Sequence, residues 1–188
     1  MNTALLLVDI QLDYYPGGRM EVVGAVEAGL AAGRLLSLFR QRNLPLVHIR
    51  HISTRPDATF FLPNTVGTEF HESVSPLPGE TIIEKHFPNS FRETSLREYL
   101  DGCGIRELVI CGMMSHMCID ATVRAAFDGG YSCIVAHDAC AARGLTFNGV
   151  DIPAAHVHGA YMAALGAVYA KVAGVDKIIG MITSQQKR

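Results

Sequence analysis

The stretch that decides the fold is Cys111-Gly112-Met113-Met114-Ser115-His116-Met117-Cys118-Ile119-Asp120. The apolar run 107–110 before it predicts a buried strand, and residues 121–127 after it predict a helix that ends at Gly129. Cys118 would then lie in the first turns of a helix, where free amides and the positive helix end favour a thiolate. The same amides can stabilise an oxyanion. A buried structural cysteine is an equally good interpretation of this stretch taken alone.

Length and composition predict one compact domain spanning residues 1–188. Hydrophobic residues make up 49% of the chain and charged residues 18%. The net charge of -2, without a long basic run, argues against nucleic acid as a partner. No apolar run approaches the roughly 20 residues of a membrane span. The five cysteines form no CxxC pair, so we expect a reduced, cytoplasmic protein without a disulfide framework or a zinc knuckle.

Strand and helix patterns alternate along the chain, which predicts an α/β fold with a doubly wound parallel sheet. The predicted strands are 3–9, 45–50, 81–85, 106–111, 131–136 and 175–179, and the predicted helices include 21–42, 95–100 and 153–172. Between the second and third strands, residues 51–80 are rich in proline and phenylalanine. We interpret this segment as a long functional excursion over one rim of the sheet, not as a linker between domains.

Three predicted strands lead into reactive groups: Asp9 after the first, Lys85 after the third and Cys118 across the turn from the fourth. If these strands are neighbours in a parallel sheet, the three groups meet at one edge. Asp9 could then take the thiol proton, Lys85 could stabilise the thiolate, and Cys118 could attack a carbonyl-type carbon. Each residue has an ordinary structural interpretation as a cap, a solvated charge or a core thiol, so the hypothesis depends on their joint occurrence.

With these residues the chain resembles the isochorismatase-like cysteine hydrolase superfamily, which includes isochorismatases, nicotinamidases, N-carbamoylsarcosine amidohydrolases and ureido-hydrolases. The matching segments are Leu7-Val8-Asp9-Ile10-Gln11, Lys85, Ser90-Phe91, Thr94-Ser95-Leu96, the run 112–119, Ala121-Thr122 and Asp138-Ala139. The resemblance implies a three-layer fold, with a six-stranded parallel sheet flanked by helices. It also implies a homo-oligomer, either a dimer or a tetramer.

The resemblance further implies roles for individual residues. Asp9, Lys85 and Cys118 correspond to the catalytic triad of the superfamily. A cis peptide bond is expected between Met113 and Met114, and the backbone amides of Met114 and Cys118 are expected to form the oxyanion hole.

Metal-dependent nicotinamidases of this superfamily place an Asp-x-His pair after the second strand, and this chain has none there. The residues available in that region are His48, His51, Asp57 and His71. The spacing of His48 and His51 would put them on opposite faces of a strand. We therefore expect no metal and no other cofactor, and interpret these histidines as packing or substrate contacts.

Substrate selection is expected to come from the excursion and the loops near it. The pocket candidates are Gln11, Tyr14, His51, Phe60, Phe91 and His116. Some of the aromatic candidates are equally suited to core or subunit contacts. His116 lies two residues before Cys118, and helix residues two apart point to different sides, which argues against a Cys–His pair.

The sequence therefore predicts a metal-independent cysteine hydrolase that cleaves a C–N bond of a small amide or ureide through a Cys118 acyl-enzyme. One alternative is vinyl-ether hydrolysis of the isochorismatase type, with Asp9 as the acid and no essential thiol. Another is a non-catalytic binding or redox protein on the same fold. The expected partners are a small-molecule substrate and further copies of the chain, not nucleic acid or a membrane.

Overall fold

A computed structural model describes residues 2–185, and Met1 and residues 186–188 of the predicted single domain lie outside this description. The strands are β1 (Thr3–Val8), β2 (Leu46–His51), β3 (Thr81–Lys85), β4 (Glu107–Met113), β5 (Ser132–Ala141), β6 (Leu145–Phe147), β7 (Val150–Ile152) and β8 (Lys171–Ala173). The helices are α1 (Ala25–Gln41), α2 (Leu96–Gly102), α3 (Asp120–Asp128), α4 (Ala154–Val168) and α5 (Val175–Gln185).

Six of the strands form one parallel sheet in the order β3-β2-β1-β4-β5-β8. This confirms the predicted doubly wound parallel sheet. The chain builds the sheet outward from β1 in one direction, through β2 and β3, and then returns to add β4 on the other side of β1. β6 and β7 pair antiparallel as a separate two-stranded ribbon.

Helices cover both faces of the sheet and produce the predicted three layers. On one face, α1 and α5 share a core with Leu5 and Leu7 of β1. On the other face, α2, α3 and α4 share a core with Leu6 and Val8. All six residues of β1 are buried, which explains why this strand is continuously apolar instead of alternating. Within residues 2–185, no helix combines the length and the apolar character that crossing a bilayer requires.

The prediction of a sixth strand at 175–179 is wrong, because this segment begins α5. Val175 and Ile178 are buried three residues apart, which is the spacing of a helix face. The Asp138 carboxylate accepts the backbone N–H of Val175 at 2.9 and 3.1 Å, and so binds an amide that the helix start leaves free. The sixth strand is β8 (Lys171–Ala173), and its first two residues fall in the predicted helix 153–172, which ends as α4 at Val168.

The excursion between β2 and β3 folds back over the loop that follows β1. The amide of Leu12 donates to the Glu69 carbonyl at 2.9 Å, and the amide of His71 donates to the Ile10 carbonyl at 3.0 Å. The buried Asp13 carboxylate accepts the Phe61 amide at 2.5 Å. These contacts hold the excursion over the edge of the sheet at which β1 ends.

A polar network of Arg40, His48 and Glu80 joins α1, β2 and the residue before β3. Arg40 binds both carboxylate oxygens of Glu80, at 2.7 and 2.8 Å, and His48 Nε2 lies 2.9 Å from the same carboxylate. The Arg40 hydrogen bond is the main reason that the pKa of Glu80 falls to about 2. Burial lowers the pKa of His48, although Glu80 partly opposes this shift.

We expect acid to weaken the fold in two stages. His48 has a lowered pKa in the folded state, so stability is lost as pH falls below about 6.5. Glu80 likewise contributes above about pH 4.5, and its contribution is lost as pH falls towards 2. Replacing Glu80 with Gln should reduce the free energy of unfolding by about 1–2 kcal/mol at pH 7 and flatten the loss between pH 4.5 and 3.

Urea unfolding across this pH range is the measurement. The exposed Glu27→Gln variant is the control, because it removes a carboxylate outside the network. If the free energy of unfolding depends on pH equally in wild type and Glu80→Gln, then Glu80 does not contribute to the acid sensitivity of the fold.

Candidate active site

Asp9, Lys85 and Cys118 meet at the carboxyl edge of the sheet. Asp9 follows β1, Lys85 ends β3, and Cys118 lies in the turn that leaves β4. The winding direction reverses between β1 and β4, and such switch points form crevices in open α/β sheets. The three strands are not all neighbours, because β2 separates β3 from β1. The long Lys85 side chain spans this gap.

The Lys85 ammonium is the centre of the cluster. Its Nζ lies 2.7 Å from Asp9 Oδ2 and 3.3 Å from Cys118 Sγ. It also lies 2.9 Å from His51 Nδ1 and donates to the Phe87 carbonyl at 3.1 Å. The Lys85 and Asp9 side chains are both 0% exposed, so the pair is shielded from solvent.

Asp9 has unused capacity to accept protons. Lys85 Nζ approaches Oδ2 at 2.7 Å as an ion pair, whereas Oδ1 has no hydrogen-bond partner of good geometry within residues 2–185. The Asp9 backbone has a φ of 52°, in the left-handed region that Asp tolerates better than most residues. Such backbone conformations often occur at functional sites.

The charges around Cys118 act in opposite directions. Burial raises the pKa of the Cys118 thiol, Asp9 raises it further, and Lys85 lowers it without reversing the shift. Burial also lowers the pKa of Lys85, but Asp9 and Cys118 more than compensate and raise it overall. At neutral pH the Cys118 thiol is therefore protonated and the Lys85 ammonium is charged.

The turn that carries Cys118 is built by close backbone approach. Gly112 has a φ of 124°, and a Cβ there would lie 1.9 Å from the Val8 carbonyl oxygen. The Met113–Met114 peptide bond is cis. A single π-helical turn, Ser115–Ile119, then leads into α3. The role of the Met114 and Cys118 amides as an oxyanion hole stays a prediction.

Three of the pocket candidates lie together beside Lys85. The Tyr14 ring is 5.9 Å from that of Phe60 and 4.6 Å from that of Phe61, and the Phe61 ring is 5.7 Å from that of His51. Tyr14 is also close enough to Cys118 and Asp9 for their charges to act with burial in raising its pKa. Tyr14 and His51 thus lie near Cys118, and Phe60 packs against the Tyr14 ring.

The other candidates have different surroundings. The Gln11 amide binds the backbone of His51 and Thr68 in three hydrogen bonds of 2.8 to 3.0 Å, so it fastens the excursion in place. Phe91 stacks on Tyr131, at the amino end of β5 and so at the opposite edge of the sheet. Substrate contact by Gln11 or Phe91 stays a prediction, and these contacts do not favour it.

His116 is buried and packs edge-on against Tyr161 at 6.0 Å. Its Nδ1 has no hydrogen-bond partner within residues 2–185, and burial lowers its pKa. The neighbouring Ser115 Oγ donates to the Ala141 carbonyl at 3.1 Å and lies 2.8 Å from His158 Nδ1 of α4. The turn before the nucleophile is therefore braced against α4.

Sequence reasoning missed two groups that shape the site. The Phe87 carbonyl binds Lys85, and nothing in the sequence identifies a backbone acceptor. Asp13 is buried and anchors Phe61, and a Cβ at Gly67 would lie 2.1 Å from its carboxylate. In the sequence, Asp13 is marked only as a second carboxylate four residues after Asp9.

Asp9, His51 and Cys118 place three potential metal-ligand atoms within 4.8 Å of one another. The Lys85 ammonium contacts all three, so a metal ion would have to displace a positive charge that these residues already bind. The chemistry of the donor set therefore fits a proton-transfer site better than a metal centre.

Comparison with known proteins gives matches over most of the chain. The family model described as Isochorismatase domain matches residues 3–164. The isochorismatase family protein YddQ of Bacillus subtilis (strain 168) is 54% identical over 172 residues, covering 92% of this chain and 96% of that protein. A crystal structure described as an isochorismatase hydrolase, from Oleispira antarctica, has a TM-score of 0.91 and 50% identity, covering 95% of this chain and 96% of that one.

Two further relatives carry names that state an activity. Streptothricin hydrolase of Streptomyces noursei is 35% identical over 152 residues, covering 81% of this chain and 51% of that protein. Maleamate amidohydrolase of Pseudomonas putida is 28% identical over 149 residues, covering 72% of this chain and 70% of that protein.

Replacing Gly112 with Ala should destabilise the fold by about 3 kcal/mol or more, since the new Cβ meets the Val8 carbonyl and the positive φ disfavours Ala. Thermal and urea unfolding are the measurements. Gly180→Ala in α5 is the matched control, because a Cβ there meets nothing within 4 Å, and it should be neutral or slightly stabilising. Wild-type stability in Gly112→Ala would show that β4 does not need this close approach.

Proposed function

The chain belongs to the isochorismatase family of hydrolases, and we propose that it cleaves the C–N bond of a small amide or ureide through a Cys118 acyl-enzyme, without a metal. The observation that carries the proposal is the buried contact of one ammonium with both a carboxylate and a thiol. Lys85 Nζ lies 2.7 Å from Asp9 and 3.3 Å from Cys118. The relative named maleamate amidohydrolase supports an amide as the substrate class.

In the first half of the reaction, Asp9 takes the thiol proton as Cys118 Sγ attacks the carbonyl carbon. Because burial disfavours a free thiolate, proton transfer and attack are coupled, and Lys85 balances the negative charge. The carbonyl oxygen becomes an oxyanion held by the backbone amides of Met114 and Cys118. Asp9 then donates its proton to the leaving nitrogen, the C–N bond breaks, and a thioester remains on Cys118.

In the second half, water replaces the leaving amine. Asp9 takes a proton from water, the resulting hydroxide attacks the thioester carbon, and the C–S bond breaks. The proton returns to the Cys118 sulfur and the product leaves as an acid. Asp9 suits both steps because its Oδ1 has no hydrogen-bond partner of good geometry within residues 2–185.

The site favours a small substrate in a reducing compartment. Cys118 is 5% exposed, which leaves little room for a macromolecule to reach the sulfur. All five cysteines are free thiols. This state is typical of cytoplasmic proteins, and we assign the protein to the cytoplasm as part of the proposal.

The decisive experiment is the Cys118→Ala variant tested on a panel of small amides and ureides, with ammonia release as the readout. Amide cleavage should fall by at least about 10³-fold, because the covalent route is lost. Isochorismate is tested in parallel. If wild type cleaves no amide and Cys118→Ala still hydrolyses the vinyl ether of isochorismate, the amidohydrolase proposal is wrong. The protein would then be a vinyl-ether hydrolase that uses Asp9 as the acid.

A Lys85→Met variant is the companion test of the ammonium. It should lose amide turnover while Cys118 remains present. No turnover of any amide by wild type, combined with an ordinary thiol pKa near 8.5, would instead indicate a non-catalytic binding protein.

We also propose that the protein forms a homo-oligomer through α4. No charged side chain occurs between residues 153 and 170. The exposed small residues of this helix are Ala155, Gly159, Ala160, Ala163, Ala164, Gly166 and Ala167. A contiguous exposed apolar surface of this kind is typical of a protein interface, and small side chains let two backbones approach closely.

Replacing Ala163 with Glu should convert the oligomer into a monomer, since burying an unpaired carboxylate at an interface is costly. Size-exclusion chromatography with light scattering measures the mass. Glu98→Lys on the exposed surface of α2 is the control and should leave the mass unchanged. A monomeric wild type, or an oligomeric Ala163→Glu variant, would contradict this assignment.

A further inference from the structure

We infer that His51 is a positioning residue for Lys85: it holds the ammonium so that one N–H points at Cys118 and the Asp9 carboxylate stays free to accept a proton. The inference rests on the proposed hydrolysis, which gives these residues their roles. It deepens that proposal by adding a fourth side chain to the catalytic group. The observation that carries it is the 2.9 Å contact between His51 Nδ1 and Lys85 Nζ.

The ammonium has more acceptors around it than it can serve. An ammonium has three N–H groups. Four acceptor atoms lie within 3.3 Å of Nζ, and they belong to Asp9, His51, Phe87 and Cys118. Asp9 Oδ2 is the closest of the four, at 2.7 Å, and His51 Nδ1 follows at 2.9 Å. An N–H that His51 accepts is therefore not available to Asp9.

His51 is itself fixed in place. Its backbone N–H donates to Gln11 Oε1 at 2.8 Å, its carbonyl accepts from Gln11 Nε2 at 3.0 Å, and it lies opposite Lys85 in the β2–β3 ladder. The charged or titratable groups around its ring are Asp9, Lys85, His86 and Cys118.

The protonation state of the ring agrees with this arrangement. Burial lowers the pKa of His51 to about 4, so the ring is neutral at pH 7. Because Lys85 can only donate, Nδ1 is the acceptor and the ring proton lies on Nε2.

The consequence of losing His51 follows from the strength of the remaining acceptors. The released N–H would turn towards Asp9, because hydrogen bonds to a carboxylate are stronger than those to a thiol. Asp9 would become a weaker proton acceptor, and the ammonium would move away from Cys118. Loss of the positive charge beside Cys118 makes the thiolate harder to form.

The test measures the rate of Cys118 alkylation by iodoacetamide at pH 8, well below the raised pKa of the thiol, with the modified site identified by mass spectrometry. A Cys103→Ser background removes the exposed cysteine. His51→Leu removes the acceptor at similar volume and should lower the rate about tenfold. His51→Asn can place an oxygen where Nδ1 lies and should keep the wild-type rate. An unchanged rate in His51→Leu, or the same decrease in both variants, overturns the assignment.

An Asp9→Asn background separates ammonium position from simple burial of the thiol. Tyr14, His51 and Lys85 are the titratable groups that still face Cys118 in this background. Without the competing carboxylate, His51→Leu should lower the alkylation rate much less than it does beside Asp9. A decrease of equal size in both backgrounds would mean that leucine acts only by excluding water, and the inference fails.

Alkylation needs no substrate, so this result stands whether or not any amide is cleaved. In an enzyme that turns over an amide, His51→Leu should also lower kcat about tenfold with KM changed by less than about twofold. A change confined to KM would assign His51 to substrate binding and overturn the positioning role. Circular dichroism of each variant establishes that it is folded.

Discussion

The buried Lys85–Asp9 ion pair is the constraint on which the rest of the site depends. Both side chains are 0% exposed, and moving an ion out of water costs several kcal/mol even after the protein relaxes. A buried pair of this kind is poor evidence for stability, since its desolvation cost can match its attraction. We therefore attribute the pair to the proposed hydrolysis, in which Lys85 supplies a cation and Asp9 a base beside Cys118.

The need to compensate one buried ammonium connects four separate parts of the chain. Asp9 follows β1, His51 ends β2, the Phe87 carbonyl follows β3, and Cys118 follows β4. The excursion is drawn into the same arrangement, because Gln11 binds His51 and Thr68 together. Covering the edge of the sheet in this way excludes water, which strengthens the electrostatic interactions that the proposed reaction uses.

Most of the fold could be predicted from local patterns. The apolar run of β1 is buried on both faces, and its composition already indicated this. The error at 175–179 came from a short apolar segment, in which helix and strand periods are hard to separate without the cap that Asp138 supplies. Strand order could not be predicted from local patterns. The expectation that Asp9, Lys85 and Cys118 meet was based on adjacent strands, but β2 lies between β1 and β3.

The sequence by itself determined which residue types stand at the strand ends, because burial and turn chemistry leave a local signature there. It therefore identified Asp9, Lys85 and Cys118 as a group. Only the tertiary structure decided how those side chains are oriented, that His51 contacts the ammonium, and that Gln11 serves the backbone. These interactions join residues such as Gln11 and His51, which are 40 positions apart, and they exist only once the strands are packed side by side. Sequence spacing carries no record of such contacts, because they depend on the geometry of the whole sheet edge.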